Sequence, residues 1–125
     1  MKRPRILLII LITILIGGCS GSDTYRGNWF AVDENGSHIE IVFGENDFSI
    51  TENGKTEHFE YTQNSVNISN SVETYGINLT DGRRFQIHFP IAHDESKGAI
   101  LDANGRPQYI ISRDDYIGYK DVYGL

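Results

Sequence analysis

The sequence predicts an all-β protein. The expected architecture is a small antiparallel meander barrel of eight or nine short strands, with a two-sheet β-sandwich as the alternative, behind an N-terminal targeting segment. Three observations predict it. Beyond residue 25, short stretches alternate between apolar and polar residues with a period of two. Turn-forming groups punctuate those stretches: Glu34-Asn35-Gly36, Gly44-Glu45-Asn46-Asp47, Glu52-Asn53-Gly54, Gln63-Asn64, Asp81-Gly82 and Asn104-Gly105. No window after the targeting segment carries a helical stripe, so no helix is expected in the domain.

The chain opens with three cations, Lys2, Arg3 and Arg5. Residues 6–16 are apolar except for Thr13, and Gly17-Gly18 follow. A charged start, a short apolar run and small residues before a cut site make residues 1–18 a secretory signal peptide. The apolar run falls short of the roughly 20 residues that a membrane-spanning helix needs. The cluster Ile16-Gly17-Gly18-Cys19 resembles the lipobox of bacterial lipoproteins. That resemblance implies that the Cys19 thiol receives a diacylglycerol, that the signal is cut before it, and that Cys19 becomes the N-terminus. The protein would then be lipid-anchored to a membrane of the bacterial cell envelope and would face outside the cytoplasm. Two or three acyl chains hold a protein at a bilayer where one holds it only marginally. An uncleaved anchor and an ordinary secretory signal are the alternatives. Cys19 is the lone cysteine and sits in no C-x-x-C spacing, so neither a disulfide nor a metal is expected there.

Residues 19–24, small and polar after Cys19, read as a short lipidated tether. The domain proper spans 25–113, with strands expected at about 27–33, 37–43, 47–51, 56–62, 65–69, 74–80, 83–90, 97–102 and 107–113. Ile39, Ile41 and Phe43 share one face of their strand, and His38, Glu40 and Val42 the other. The same alternation gives the inward series Phe48 and Ile50, Phe59 and Tyr61, Val66 and Ile68, Ile77 and Leu79, Phe85, Ile87 and Phe89, Ile100 or Leu101, and Tyr109 and Ile111. Nearly every link is hairpin-sized, which favours a meander, and a meander of many short strands removes its edges by closing.

The first strand carries Gly27-Asn28-Trp29 and the last ends Ile111-Ser112-Arg113. This G-x-W and terminal Arg resemble the small lipocalin-like barrels found among bacterial lipoproteins. The resemblance implies that Trp29 packs at one closed end of the barrel with Arg113 lying over it, a cation–π pair worth about 0.5–2 kcal/mol.

The tail, 114–125, holds three of the seven tyrosines, Tyr116, Tyr119 and Tyr123. Tyrosine buries area and keeps a polar tip, which suits interfaces. The tail either folds back so that Tyr116, Ile117 and Tyr119 cover an apolar seam, or it serves as a partner-binding peptide.

Without residues 1–18 the chain keeps 8 basic against 17 acidic residues, a net charge of −9. That excludes nucleic acid and electrostatic docking on anionic lipid as expectations. No nucleophile elbow, phosphate loop, zinc-protease or calcium-loop motif is present. His38, His58 and His88 fall on outward faces beside Glu40, Glu60 and Gln86, but hairpin order separates their strands, so no metal or cofactor is expected. The loop 91–97 gathers His93, Asp94, Glu95 and Ser96. It supplies no oxyanion donors, so no catalytic residue is assigned, and His93 is expected instead at the lip of a binding site. The expected function is a membrane-anchored, non-enzymatic interaction module contacting a protein partner in the envelope. A small apolar ligand, a role in immunity or entry exclusion (a habit of small lipoproteins), and a small hydrolase using His93 and Asp94 are the alternatives.

Overall fold

A computed structural model describes residues 22–124. The lipobox, Cys19, the signal segment and Leu125 lie outside the described residues. The chain forms β1 (Gly27–Asp33), β2 (His38–Phe43), β3 (Asp47–Glu52), β4 (Lys55–Ser69), β5 (Val72–Leu79), β6 (Arg84–Phe89), β7 (Lys97–Asp102), β8 (Pro107–Ser112) and a short helix, α1 (Tyr119–Tyr123).

Each strand pairs antiparallel with the next in sequence, and β8 returns to pair with β1, so the sheet is a closed eight-stranded meander barrel. The closing register runs from Phe30 opposite Ser112 to Asp33 opposite Tyr109. Closure excludes the sandwich. The turns at one end share a device. Asp33 Oδ1 accepts from the backbone N–H of Asn35 and Ser37, both at 2.9 Å. Asp102 Oδ1 accepts from Asn104 and Arg106 at 2.9 and 3.0 Å. An aspartate ending a strand thus folds the following turn onto its own carboxylate.

The alternation places the core as expected. Trp29, Ile41, Ile77, Ile87, Phe89 and Ile111 are fully buried inside the barrel, with Phe43, Phe48, Tyr61 and Tyr75 beside them. Burying each such side chain stabilises the fold by about 1.5–3 kcal/mol before the chain-ordering cost is counted. The aromatic rings interlock: Phe43 lies 5.1 Å from Phe48 and 5.3 Å from Tyr25, centroid to centroid.

Three features differ from the sequence reading. The expected strands 56–62 and 65–69 are one long strand, β4, whose register slips between Gln63 and Ser65. Asn64 makes a β-bulge there rather than a turn, which gives eight strands rather than nine. Gly76 stands opposite the bulge, and a Cβ at that position would collide with the side chains of Asn64 and Ser65. Second, Val66 and Ile68 are not core residues but are 49% and 61% exposed. Third, the tail ends in α1, whose Val122 is buried with Ala99, Leu101 and Ile110 in a second cluster on the outer wall of β7 and β8. Ile100 and Leu101 are therefore both buried, one inside the barrel and one beneath the tail.

Candidate functional site

The two barrel ends are unlike. One is plugged by the N-terminal approach. Tyr25 is wholly buried, and its hydroxyl donates to Gln63 Oε1 at 2.7 Å. Trp29 Nε1 donates to the Tyr25 carbonyl at 2.8 Å. Arg113 lies flat over the Trp29 ring, 3.7 Å from Cζ to the centroid. Its Nη1 donates to the Asn28 carbonyl at 2.9 Å, and its Nη2 to those of Thr24 and Arg26 at 3.1 and 2.7 Å. One guanidinium thus ties β8 to the segment entering β1, using the fork of donors that only arginine offers. Gly27 is required for this: its φ is +97°, and a Cβ would sit 3.2 Å from Arg113 Nη1. Ser22 and Thr24, read as tether, are held here too. Ser22 N–H donates to Gln63 Oε1 at 2.9 Å, and the Tyr75 hydroxyl lies 3.2 Å from Thr24 Oγ1.

The opposite end, framed by the tight turns, retains a cavity of about 130 Å³ lined by Phe48, Ile50, Phe59, Leu79, Phe85 and Tyr109, among others. Arg83 closes it from outside, with Cζ 5.2 Å from the Phe59 centroid and 5.8 Å from that of Phe85. Arg83 is held by Asp81, whose Oδ2 accepts from Nε at 3.0 Å and from Nη2 at 2.8 Å. That hydrogen bond raises the Arg83 pKa and lowers that of Asp81. Burial raises the Tyr109 pKa, with Asp33 and Glu52 adding their negative charge. The mouth therefore offers an aromatic floor, one fixed cation and an acidic rim. The sequence reading passed over Arg83 and placed Tyr109 on the inward face without assigning it to a mouth. The signal was present in Asp81-Gly82-Arg83, where a turn aspartate two residues before an arginine can hold its side chain across the mouth.

The loop between β6 and β7 brings no acid–base pair together. Asp94 Oδ1 accepts from Ser96 N–H at 2.9 Å and from its hydroxyl at 2.5 Å, which folds the loop on itself. Those bonds lower the Asp94 pKa. His93 is exposed, at a φ of +63°. Nor do the other histidines converge. His38 stacks on Tyr116 at 4.0 Å, His58 is exposed on β4, and His88 Nδ1 shares a 2.8 Å hydrogen bond with Thr74. Among the described residues, no group of three or more His, Cys, Asp or Glu could hold a metal ion.

The tail tyrosines divide. Tyr116 is half-buried, stacked on His38 and edge-on to Phe30 at 5.0 Å. Tyr119 is 44% exposed and stacks on the half-buried Tyr123 at 4.5 Å. Tyr119 also borders a shallow surface groove with Val32, Pro107 and Ile110.

No family model matches the chain, and neither does any curated protein. Among solved structures, the crystal structure of Treponema pallidum Tp0751 (pallilysin) is similar at a TM-score of 0.43 and 13% identity, over 84% of this chain and 96% of that one. The fold assignment rests on strand order and register.

Proposed function

We propose that this protein is a lipid-anchored, extracytoplasmic interaction module that acts by contact and presents its aromatic mouth to a protein partner in the cell envelope. The observation that carries the reading is the asymmetry of the barrel. The chain enters at the plugged end, where Ser22 is bonded to Gln63, three residues after the cysteine of the lipobox. The mouth under Arg83 lies at the other end and so points away from an anchor at Cys19. A cavity of about 130 Å³ is far smaller than the roughly 300–1,000 Å³ of ligand pockets. It suits a single inserted side chain, the form that interface hot spots take. The same space supports a second reading, a ligand the size of benzene, which enters an engineered cavity of about 150 Å³.

Capture experiments on the acylated full chain test the reading. A partner retained by the native protein and by Tyr119→Ser, but lost on Tyr109→Asp, is the expected result. Retention by Tyr109→Asp would remove the mouth from the interaction. A small molecule carried through native mass spectrometry, with no protein captured, would favour the ligand. Intact mass without diacylglycerol on Cys19 would overturn the anchor.

A further inference from the structure

We propose that the tip of the β4–β5 hairpin rests in the interfacial layer of the bilayer that holds Cys19, with Val66 and Ile68 as a second, non-covalent membrane contact. The inference rests on the anchored reading above and adds an orientation to it.

The hairpin outgrows the barrel. β4 pairs with β3 only between Lys55 and Glu60, yet it runs on to Ser69 with β5 as its one strand partner. Residues directly opposite in an antiparallel pair point to the same face. Val66 is opposite Tyr75 and Ile68 opposite Glu73. The Tyr75 side chain is buried at the plugged end, so Val66 and Ile68 continue the inward face past the rim and into the open. The turn at the tip is tight, with Asn70 and Ser71 at φ values of 52° and 64°, so no long polar loop caps it.

Composition singles out the same stretch. From Tyr61 to Val72 there is no charged residue, in a chain whose net charge is −6. Such a segment meets the headgroup and acyl boundary without burying an ion. The acids nearest this end, Asp23, Glu95 and Glu73, the last directly opposite Ile68, oppose anionic lipid, so the contact is apolar rather than electrostatic.

Position supplies the occupant. Gln63, at the root of the extension, accepts the N–H of Ser22, where the described chain begins. Cys19 is three residues back from Ser22, within about 10 Å along an extended chain. Val66 is three residues up the strand from Gln63, also about 10 Å. Acyl chains on Cys19 and the two exposed aliphatic side chains therefore address the same surface.

The test uses the acylated full chain, purified from membranes and reconstituted into vesicles of phosphatidylethanolamine and phosphatidylglycerol containing doxyl-labelled lipid. Acylation of the lone native cysteine leaves an engineered thiol as the single labelling site. An environment-sensitive fluorophore on Ile68→Cys should emit at shorter wavelength and be quenched by shallow doxyl groups. The same fluorophore on Asn104→Cys, at the other end, should do neither. Adding Val66→Ser to the Ile68→Cys chain should remove most of the quenching, while circular dichroism stays that of the parent. Water-like emission from an acylated Ile68→Cys chain would overturn the hairpin contact and leave the anchor standing. Shortened wavelength with no doxyl quenching, together with cross-links between copies, would assign the free edge of β4 to a second copy and overturn it likewise. Protein found without its diacylglycerol would overturn the anchor reading and this one together, and intact mass tells that case from the others.

Discussion

Arg113 shows how one side chain can close a barrel end. It stacks on Trp29 and serves three backbone carbonyl oxygens, those of Thr24, Arg26 and Asn28. Arg113→Ala should cost about 2–3 kcal/mol in urea unfolding, from the lost stack and the unpaired carbonyls together. Arg113→Lys should recover only part, since a point charge cannot span the same acceptors. A second residue-scale prediction concerns Glu95. Its pKa is raised from the ordinary 4.5, first by a hydrogen bond with Glu73, then by desolvation and by the like charge of Glu73. A group raised on folding stabilises fully below its unfolded value and loses that contribution as the pH climbs through its folded value. The protein should therefore lose a little stability between about pH 4.5 and neutrality. Glu95→Gln, which keeps a donor for Glu73 at every pH, should flatten that slope in paired urea titrations.

At the scale of elements, α1 and the tail act as a cover. Val122 is buried against Ala99, Leu101 and Ile110, which would otherwise face water from the outer wall. Val122→Asp should strip that cover and leave a less stable, aggregation-prone barrel, read as a lowered urea midpoint and as light scattering. Much of the element pattern was legible in the sequence. Ile39-Ile41-Phe43 and Phe85-Ile87-Phe89 alternate cleanly because one sheet face is packed and the other is wet. G-x-W and the final arginine marked the plugged end. What stayed hidden has physical reasons. Asn64 has the composition of a turn, and only the partner strand, with Gly76 opposite, shows that it is a bulge. Val66 and Ile68 alternate like core residues, because period two reports a face and not whether a neighbouring strand extends far enough to cover it. Leu101 and Ile110 point outward yet are buried, since their cover lies in the tail. The helix that supplies it has five residues, too short to print a periodicity. Arg83 escaped notice because its place over the mouth depends on Phe59, brought beside Phe85 from β4, a strand far away in sequence.

For the molecule as a whole, the interior is an aromatic column with the hydroxyls of Tyr25, Tyr61 and Tyr75 gathered towards the plugged end. Burial raises the phenol pKa values of Tyr25, Tyr61 and Tyr75, the last to about 12. These phenols stabilise the fold below their ordinary value of 10.0 and withdraw that stability as the pH passes their folded values. An alkaline absorbance titration should show them ionising late and together with the loss of circular dichroism. Early, independent ionisation of all seven tyrosines would contradict the packed column.

The seam between β1 and β8 carries a further consequence. A ring of strands has no intrinsic beginning, and here the segment entering β1 and the end of β8 meet under Arg113 before the tail runs on over the outer wall of β7 and β8. A circular permutant that keeps the tail as cover would return from the end of α1 to Thr24 through a flexible linker and start instead at Asn104-Gly105, moving the chain's leading end from the plugged pole to the mouth. Given the proposed lipidation segment ahead of its new start, such a protein would, on the anchored reading proposed above, stand upside down on the membrane with its strand pairings retained. Comparing it with the parent would separate what the barrel does by shape from what it does by the way it faces.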